Sequence, residues 1–230
     1  MAERKRAREG AGGEVVRPPR APEIALPPLR PFGGRAVAAE GDYDGVVFDG
    51  LDLAGQDGRG ATFLDCALRR CGLDGIRLGR ARLLDSELTG VRGVGTDLAD
   101  AELRDVALTD ARLGGTQLGG AVLTRVRVTG GKVDFLNLRQ ARLTDVIFEG
   151  CVLVEPDLAG ARLDRVSFAG CELRGADLTG ATLRDVDLRG AATLDIARGE
   201  DRLSGAVITP AQLLDLAPRL AARLGVRVSN

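Results

Sequence analysis

The sequence predicts an all-β solenoid: a quadrilateral parallel β-helix of about seven coils, closed at its C-terminal end by an α-helical cap. Three observations carry that prediction. An apolar residue recurs at every fifth position over most of the chain, related octapeptides recur every twenty residues, and the composition is rich in glycine but poor in aromatics. Glycine accounts for 32 of 230 residues, about twice its usual share. Aromatic residues make up 3% of the chain against 44% for all apolar residues, so Leu, Val and Ala must build the core.

The first segment stands apart from that pattern. Six of the nine prolines fall between Pro18 and Pro31, after a basic start with Arg4, Lys5, Arg6 and Arg8. Residues 1–40 are expected to be a flexible, basic, proline-rich arm running into polyproline-type extended chain. A tether, or a strap along the body, is the expected use; docking into an SH3-like groove is the alternative.

The repeats occupy residues 41–200. Stepping by five from Phe48 to position 188, 27 of 29 residues are Leu, Phe or Val, and only Gly58 and Gly93 break the series. Two residues earlier sits a small or β-branched residue, as at Ala61, Cys66, Cys71 and Val106; two residues later glycine is common, as at Gly50, Gly55 and Gly75. An α-helix repeats at 3.6 residues and a plain strand at two. A five-residue unit with one large and one small inward side chain, followed by a glycine-tolerant corner, describes a flat-sided coil. Segments 103–110, 123–130, 143–150, 163–170 and 183–190 resemble one another, so identical surroundings return after four units. Four sides therefore complete a coil, and coils stacked at the ~4.8 Å strand spacing give a rod about 35 Å long. Central residues twenty apart should stack, which makes Phe48, Leu68, Leu88, Leu108, Phe148, Phe168 and Leu188 one column of the core.

Residues 201–230 form the expected helical cap and tail. Thr209 is suited to the N-cap, Pro210 to the first helical position and Gln212 to the capping box. Leu213, Leu214, Leu216, Leu220 and Leu224 make an apolar stripe, Pro218 should kink or split the helix, and Gly225 should end it. The stripe either seals the last coil or pairs two chains, giving a homodimer through residues 209–225.

Units such as Ala176-Asp177-Leu178-Thr179-Gly180 and Ala101-Glu102-Leu103 resemble those of the pentapeptide-repeat proteins. The resemblance covers residues 46 to about 190. It implies a right-handed quadrilateral β-helix and favours dimerisation through the C-terminal segment. It is specific for fold and much weaker for function.

Two surfaces are candidates for interaction. Asp65, Asp85, Asp105, Asp145 and Asp185 lie twenty residues apart or multiples of it, interrupted by Arg125 and Arg165, and should form an outward ladder at one corner. A neighbouring column holds Asp57, Arg77, Asp97, Gln117, Asn137, Asp157 and Asp177. The functional reading is an acidic stripe imitating DNA, as in family members that bind type II topoisomerases such as gyrase and blunt quinolone action. The alternative is a solvated surface whose Asp side chains bond corner amides. Residues 41–200 hold 26 Asp and Glu against 20 Lys and Arg, whereas DNA of the rod's length carries roughly 20 negative charges. The second surface is apolar: Phe135 and Ile147, with Val122, Val152 and Val154, fall at nominally outward places. They make either a protein-docking patch or a local distortion that turns some of them inward.

The composition also excludes chemistry. With no histidine, the chain has no Ser-His-Asp or Cys-His arrangement and no imidazole metal site. Cys66, Cys71, Cys151 and Cys171 occupy small inward positions and are expected to be buried, inert thiols. No phosphate-binding or dinucleotide fingerprint is present. A net charge of −1 argues against direct nucleic-acid binding. No apolar run is long enough to span a bilayer, and no signal peptide is evident. The reading is a cytoplasmic, non-enzymatic scaffold without cofactor or metal. It would bind an unidentified protein partner through flat faces, with the topoisomerase protector as the alternative.

Overall fold

A chain can turn sharply every five residues only if each corner residue leaves the extended region. Every fifth residue from Glu40 to Asp185 has a positive φ, and half of these residues are glycine. The remainder are mostly Asp and Arg, with Phe135 the one aromatic among them. Asp tolerates the left-handed region better than most residues.

The computed structural model describes residues 16–227. Between corners the chain is extended and bonds to the coils before and after it, giving parallel sheets of 12 and 6 strands. Strand Glu102–Thr109 lies between Arg82–Thr89 and Val122–Thr129, with Leu103 opposite Leu83 and Leu123. The corner residue Asp105 interrupts this strand, so the first sheet supplies two sides of each coil. Strands such as Arg112–Gly114 supply the third side in the second sheet. Single bridges through Asp97, Gln117 and Asn137 make the fourth.

The solenoid has about nine turns instead of the expected seven. The five-residue signature undercounts because a rung is defined by main-chain bonds, whatever its side chains. Arg30–Pro31 adds a rung beside Val46 and Val47, and Ala206–Val207 adds one beside Val186 and Asp187.

Side chains twenty apart stack as the spacing requires. Leu103, Leu123 and Leu143 are 4%, 3% and 0% exposed, on adjacent rungs. Phe48, Leu68, Leu88, Phe148, Phe168 and Leu188 are all buried, and the Phe148 and Phe168 rings lie parallel with centroids 5.0 Å apart. Leu108 joins the same core but is only half-buried. It borders an apolar void of about 60 Å³ that also touches Leu73, Leu113 and Val133, the column in which Gly93 withholds a side chain.

Gly58, the other break in the series, is filled from outside the repeats. Val37 is buried there, and a Cβ on Gly58 would stand 2.6 Å from Val37 Cγ1. Phe32 stacks on Phe48 with centroids 4.5 Å apart, and Tyr43 on Phe63 at 5.0 Å. Residues 30–43 thus close the N-terminal end, a cover that the sequence reading had placed only at the C-terminus.

At the other end, helix Pro210–Arg223 has its capping box: the Gln212 amide donates to Thr209 Oγ1 at 3.1 Å, and the Thr209 amide to Gln212 Oε1 at 2.8 Å. Gly225 follows in the left-handed region and ends the helix. Pro218 does not split it. Pro218 and Leu214 are both exposed, so the Leu214 carbonyl that loses its helical donor can bond water. Leu216 is buried against the last coils and Leu220 half-buried, while Leu213, Leu214 and Leu224 stay exposed. No helix among the described residues is long and apolar enough to cross a membrane.

Candidate interaction surface

The corner ladder is present, but its charges are largely matched. Because positions twenty apart are neighbouring rungs, each interrupting arginine lies beside an acid. Arg125 Nε donates to Asp105 Oδ1 at 2.6 Å, and Arg165 binds Asp145 through Nε and Nη2 at 2.7 and 2.9 Å. Asp105 and Asp145 are consequently 7% and 5% exposed and not open to solvent as expected. The Arg165 guanidinium holds the Asp145 carboxyl below its ordinary pKa, against the opposing effect of burial. Asp65 and Asp85 have no cationic partner among the described residues. Burial, then the neighbouring Asp85 and Asp44, push the Asp65 carboxyl up.

The proline-rich segment lies along this same corner. The Arg17 guanidinium binds Asp185 at 2.8 Å, and the Arg20 amide donates to Asp145 at 3.1 Å. Its other end pairs with the first coil, where the Arg30 amide donates to the Gly45 carbonyl at 2.8 Å. Residues 16–31 are therefore a bound strap and not a free arm; the basic residues Arg4, Lys5, Arg6 and Arg8 lie outside the described residues. The burial pattern reflects the attachment, since Val16, Pro19 and Pro22 are half-buried at every third position while their neighbours are exposed. Three residues make one turn of polyproline helix, so one edge faces the rod.

The neighbouring column follows the corner-amide alternative. Asp97, Asn137, Asp157 and Asp177 each accept from the amide two residues on, at 2.9–3.0 Å. Asn137 also donates to Gln117 one rung below, at 2.7 Å.

The apolar residues separate. Phe135 is 58% exposed at a corner of the second sheet, whereas Ile147 is half-buried within Arg142–Glu149 of the first. They do not form one patch. The sequence reading missed Val94, which is 69% exposed on the second sheet. A depression of about 630 Å³ beside Val94 and Gly114 is edged by Arg92, Arg112 and Lys132, and Phe135 lines a separate one of about 280 Å³ with Glu155, Pro156 and Arg198. A Cβ on Gly93 would stand 2.8 Å from the Leu73 carbonyl carbon, so the main chain there packs directly on the neighbouring rung. Lys132 pairs with Asp134; Arg92 and Arg112 make no ion pair among the described residues.

All four cysteines are buried and unpaired. Cys66 donates to the Tyr43 carbonyl and Cys71 to the Phe48 carbonyl, both at 3.3 Å. Burial pushes the Cys66 thiol up to about 11. These thiols are packing groups that bond the preceding coil. No cluster of three metal-ligating side chains occurs among the described residues.

Comparison with known proteins follows the repeat. A family model for a pentapeptide repeat region matches residues 61–138, and a model for pentapeptide repeats matches 134–170 and 157–191. No curated protein sequence matches the chain. Among solved structures, a trypsin-treated form of QnrB1, a plasmid-mediated fluoroquinolone resistance protein, is similar at 18% identity and a TM-score of 0.37; the match covers 90% of this chain and 100% of that one. HetL, involved in heterocyst differentiation regulation in the cyanobacterium Nostoc sp. strain PCC 7120, is similar at 19% identity and 0.26, over 74% and 90% of the two chains. Rfr23 from the cyanobacterium Cyanothece 51142 gives 16% and 0.17, over 69% and 87%.

Proposed function

Since the chain belongs to the pentapeptide-repeat family, we propose that it is a non-enzymatic scaffold that binds another protein through the second sheet. One observation carries this reading. Phe135, an aromatic residue in the left-handed region (φ 54°), stands 58% exposed in a corner column that is otherwise mainly glycine. A bulky residue there is strained where glycine would not be, and strain of that kind is typically retained for function. Arg92 and Arg112, without an ion pair among the described residues, supply the guanidinium groups enriched in binding hot spots, and the exposed Val94 adds apolar area beside them. The ladder corner supports the role less well, because Asp105, Asp145 and Asp185 are paired with arginines, and the strap also meets Asp145 and Asp185.

Affinity capture from the native cell extract tests the reading. The full chain should retain one partner that Phe135→Asp and Val94→Asp lose, with melting temperature not lowered, while Ile147→Thr on the first sheet keeps it. Retention by both aspartate variants overturns the assignment. A gyrase supercoiling assay with quinolone tests the DNA-imitating alternative. Relief of inhibition lost in Asp65→Asn but kept in Phe135→Asp would move the binding surface to the ladder.

A further inference from the structure

We propose that the ladder corner is a docking groove for an extended, arginine-bearing, proline-rich segment of a partner protein, and that residues 16–31 occupy it in cis until displaced. This does not rest on the second-sheet assignment; it concerns another side of the rod.

The groove has a defined pitch. A polyproline helix advances ~3.1 Å per residue, so three residues cover about 9.3 Å, while two rungs at ~4.8 Å cover about 9.6 Å. The two lattices agree at three residues per two rungs. The contacts show that register: Arg17 meets Asp185 and Arg20 meets Asp145, three residues and two rungs apart. Arg165, between them, is bound to Asp145 and Asp164, which leaves the alternate acids to face the strap. Every third strap residue from Val16 to Pro22 turns an apolar side chain to the rod. The surface therefore selects extended chain, apolar groups at every third place, and an arginine within reach of Asp185.

The cis occupant is held in a way that permits exchange. Prolines remove many of its amides, and between Arg20 and Arg30 no strap amide bonds the rod among the described residues. The Arg17 side chain is 64% exposed even in its ion pair. Firm attachment comes only at Arg30 and Phe32, whose amides pair with Gly45 and Val47. The strap can thus lift from its Arg17 end while residues 30–43 keep the rod closed. A preformed polyproline segment loses little entropy on docking, which suits a competing partner.

The probe is a fluorescein-labelled peptide with the sequence of residues 14–32, titrated onto the full chain and read by anisotropy. Cis occupancy lowers apparent affinity by the fraction of open strap. Wild type should bind weakly, and the full-length triple variant Arg17→Ala, Pro19→Gly, Pro22→Gly at least about tenfold more tightly. Adding Asp145→Asn and Asp185→Asn should abolish the gain, as should glutamates in place of the peptide's Arg17 and Arg20. Circular dichroism reports whether the triple variant keeps its rod. If it does not, Arg17→Ala alone should still give about a threefold gain by the same relation. Equal affinity for wild type and a folded, loosened variant overturns the proposal, as does binding indifferent to Asp145 and Asp185.

Discussion

The contact between Val37 and Gly58 makes a double substitution informative about how the rod is closed. Val37→Ala removes two buried methyl groups at ~0.8 kcal/mol each, and with the void left behind the cost is about 1.5–2.5 kcal/mol. Gly58→Ala would ordinarily be neutral or stabilising, since Gly58 is not among the residues with positive φ. Here the new Cβ would approach Val37 Cγ1 to 2.6 Å and Leu78 Cδ2 to 2.9 Å. Overpacking of that kind costs roughly 1–3 kcal/mol. Together the substitutions should nearly cancel, because the added methyl takes up room the valine has vacated. The double variant is expected within about 1 kcal/mol of wild type, a coupling of at least ~1.5 kcal/mol.

Urea unfolding provides the assay. Tyr43 is the only tyrosine and there is no tryptophan, so intrinsic fluorescence reports the N-terminal closure, where Tyr43 stacks on Phe63. Far-UV circular dichroism reports the whole rod. In a solenoid each coil is stabilised chiefly by its neighbours, so Val37→Ala should shift the Tyr43 transition further than the dichroism transition. Costs that add to within about 0.5 kcal/mol would refute the shared slot.

Two further predictions concern corners and charge. Gly131→Ala and Gly150→Ala both place a side chain in the left-handed region. A Cβ at 150 meets nothing within 4 Å, whereas one at 131 would stand 2.2 Å from the Ala111 carbonyl oxygen. Gly150→Ala, at a corner, should cost about 1–2 kcal/mol and Gly131→Ala, just after one, several times more; equal melting temperatures would contradict the close approach of Gly131 to Ala111. The carboxyls Asp145 and Asp65 should respond to pH with opposite sign. The Asp145 pKa is depressed in the folded chain, chiefly by Arg165. Its contribution is therefore present above the unfolded value near 3.9 and lost as pH falls through the folded one. Asp145→Asn should remove that acid slope. The Asp65 pKa is raised, chiefly by burial, so its ionised form opposes folding at neutral pH and the penalty disappears on acidification. Asp65→Asn should stabilise at pH 7 and do nothing near pH 3. Melts across that range decide both, and effects of the same sign would contradict the pairing.

The periods that make the fold were legible because they recur in side-chain type. Leu103, Leu123 and Leu143 announce a column before any coordinate is known. What the sequence concealed depends on single side chains. Val37 lies among residues that read as arm, and only the missing leucine at Gly58 hints that something must fill the slot. Val16, Pro19 and Pro22 do repeat, but with the polyproline period of three, which a search for five does not register. Asp105 and Asp145 were placed correctly at a corner and wrongly in solvent, because a corner exposes a side chain only if nothing lies over it.

Stacking at a fixed interval also explains why the two candidate surfaces differ in meaning. A column with identical charges on successive rungs places them about 5 Å apart, where like charges destabilise. Asp65 and Asp85 are the exception, two like charges on successive rungs, but from Asp105 to Asp185 the ladder alternates with Arg125 and Arg165, and Asp185 meets Arg17 of the strap. Such a column is what stability alone would produce. The second sheet does the opposite: Arg92, Arg112 and Lys132 occupy successive rungs, beside an exposed Val94 and a Phe135 in a conformation suited to glycine. Lys132 is offset by Asp134, but the charges of Arg92 and Arg112, the exposed Val94 and the left-handed Phe135 each cost folding free energy without an ion pair or a cover among the described residues. Departures from local consistency concentrate where a protein meets its ligand, which places the search for a partner on that face.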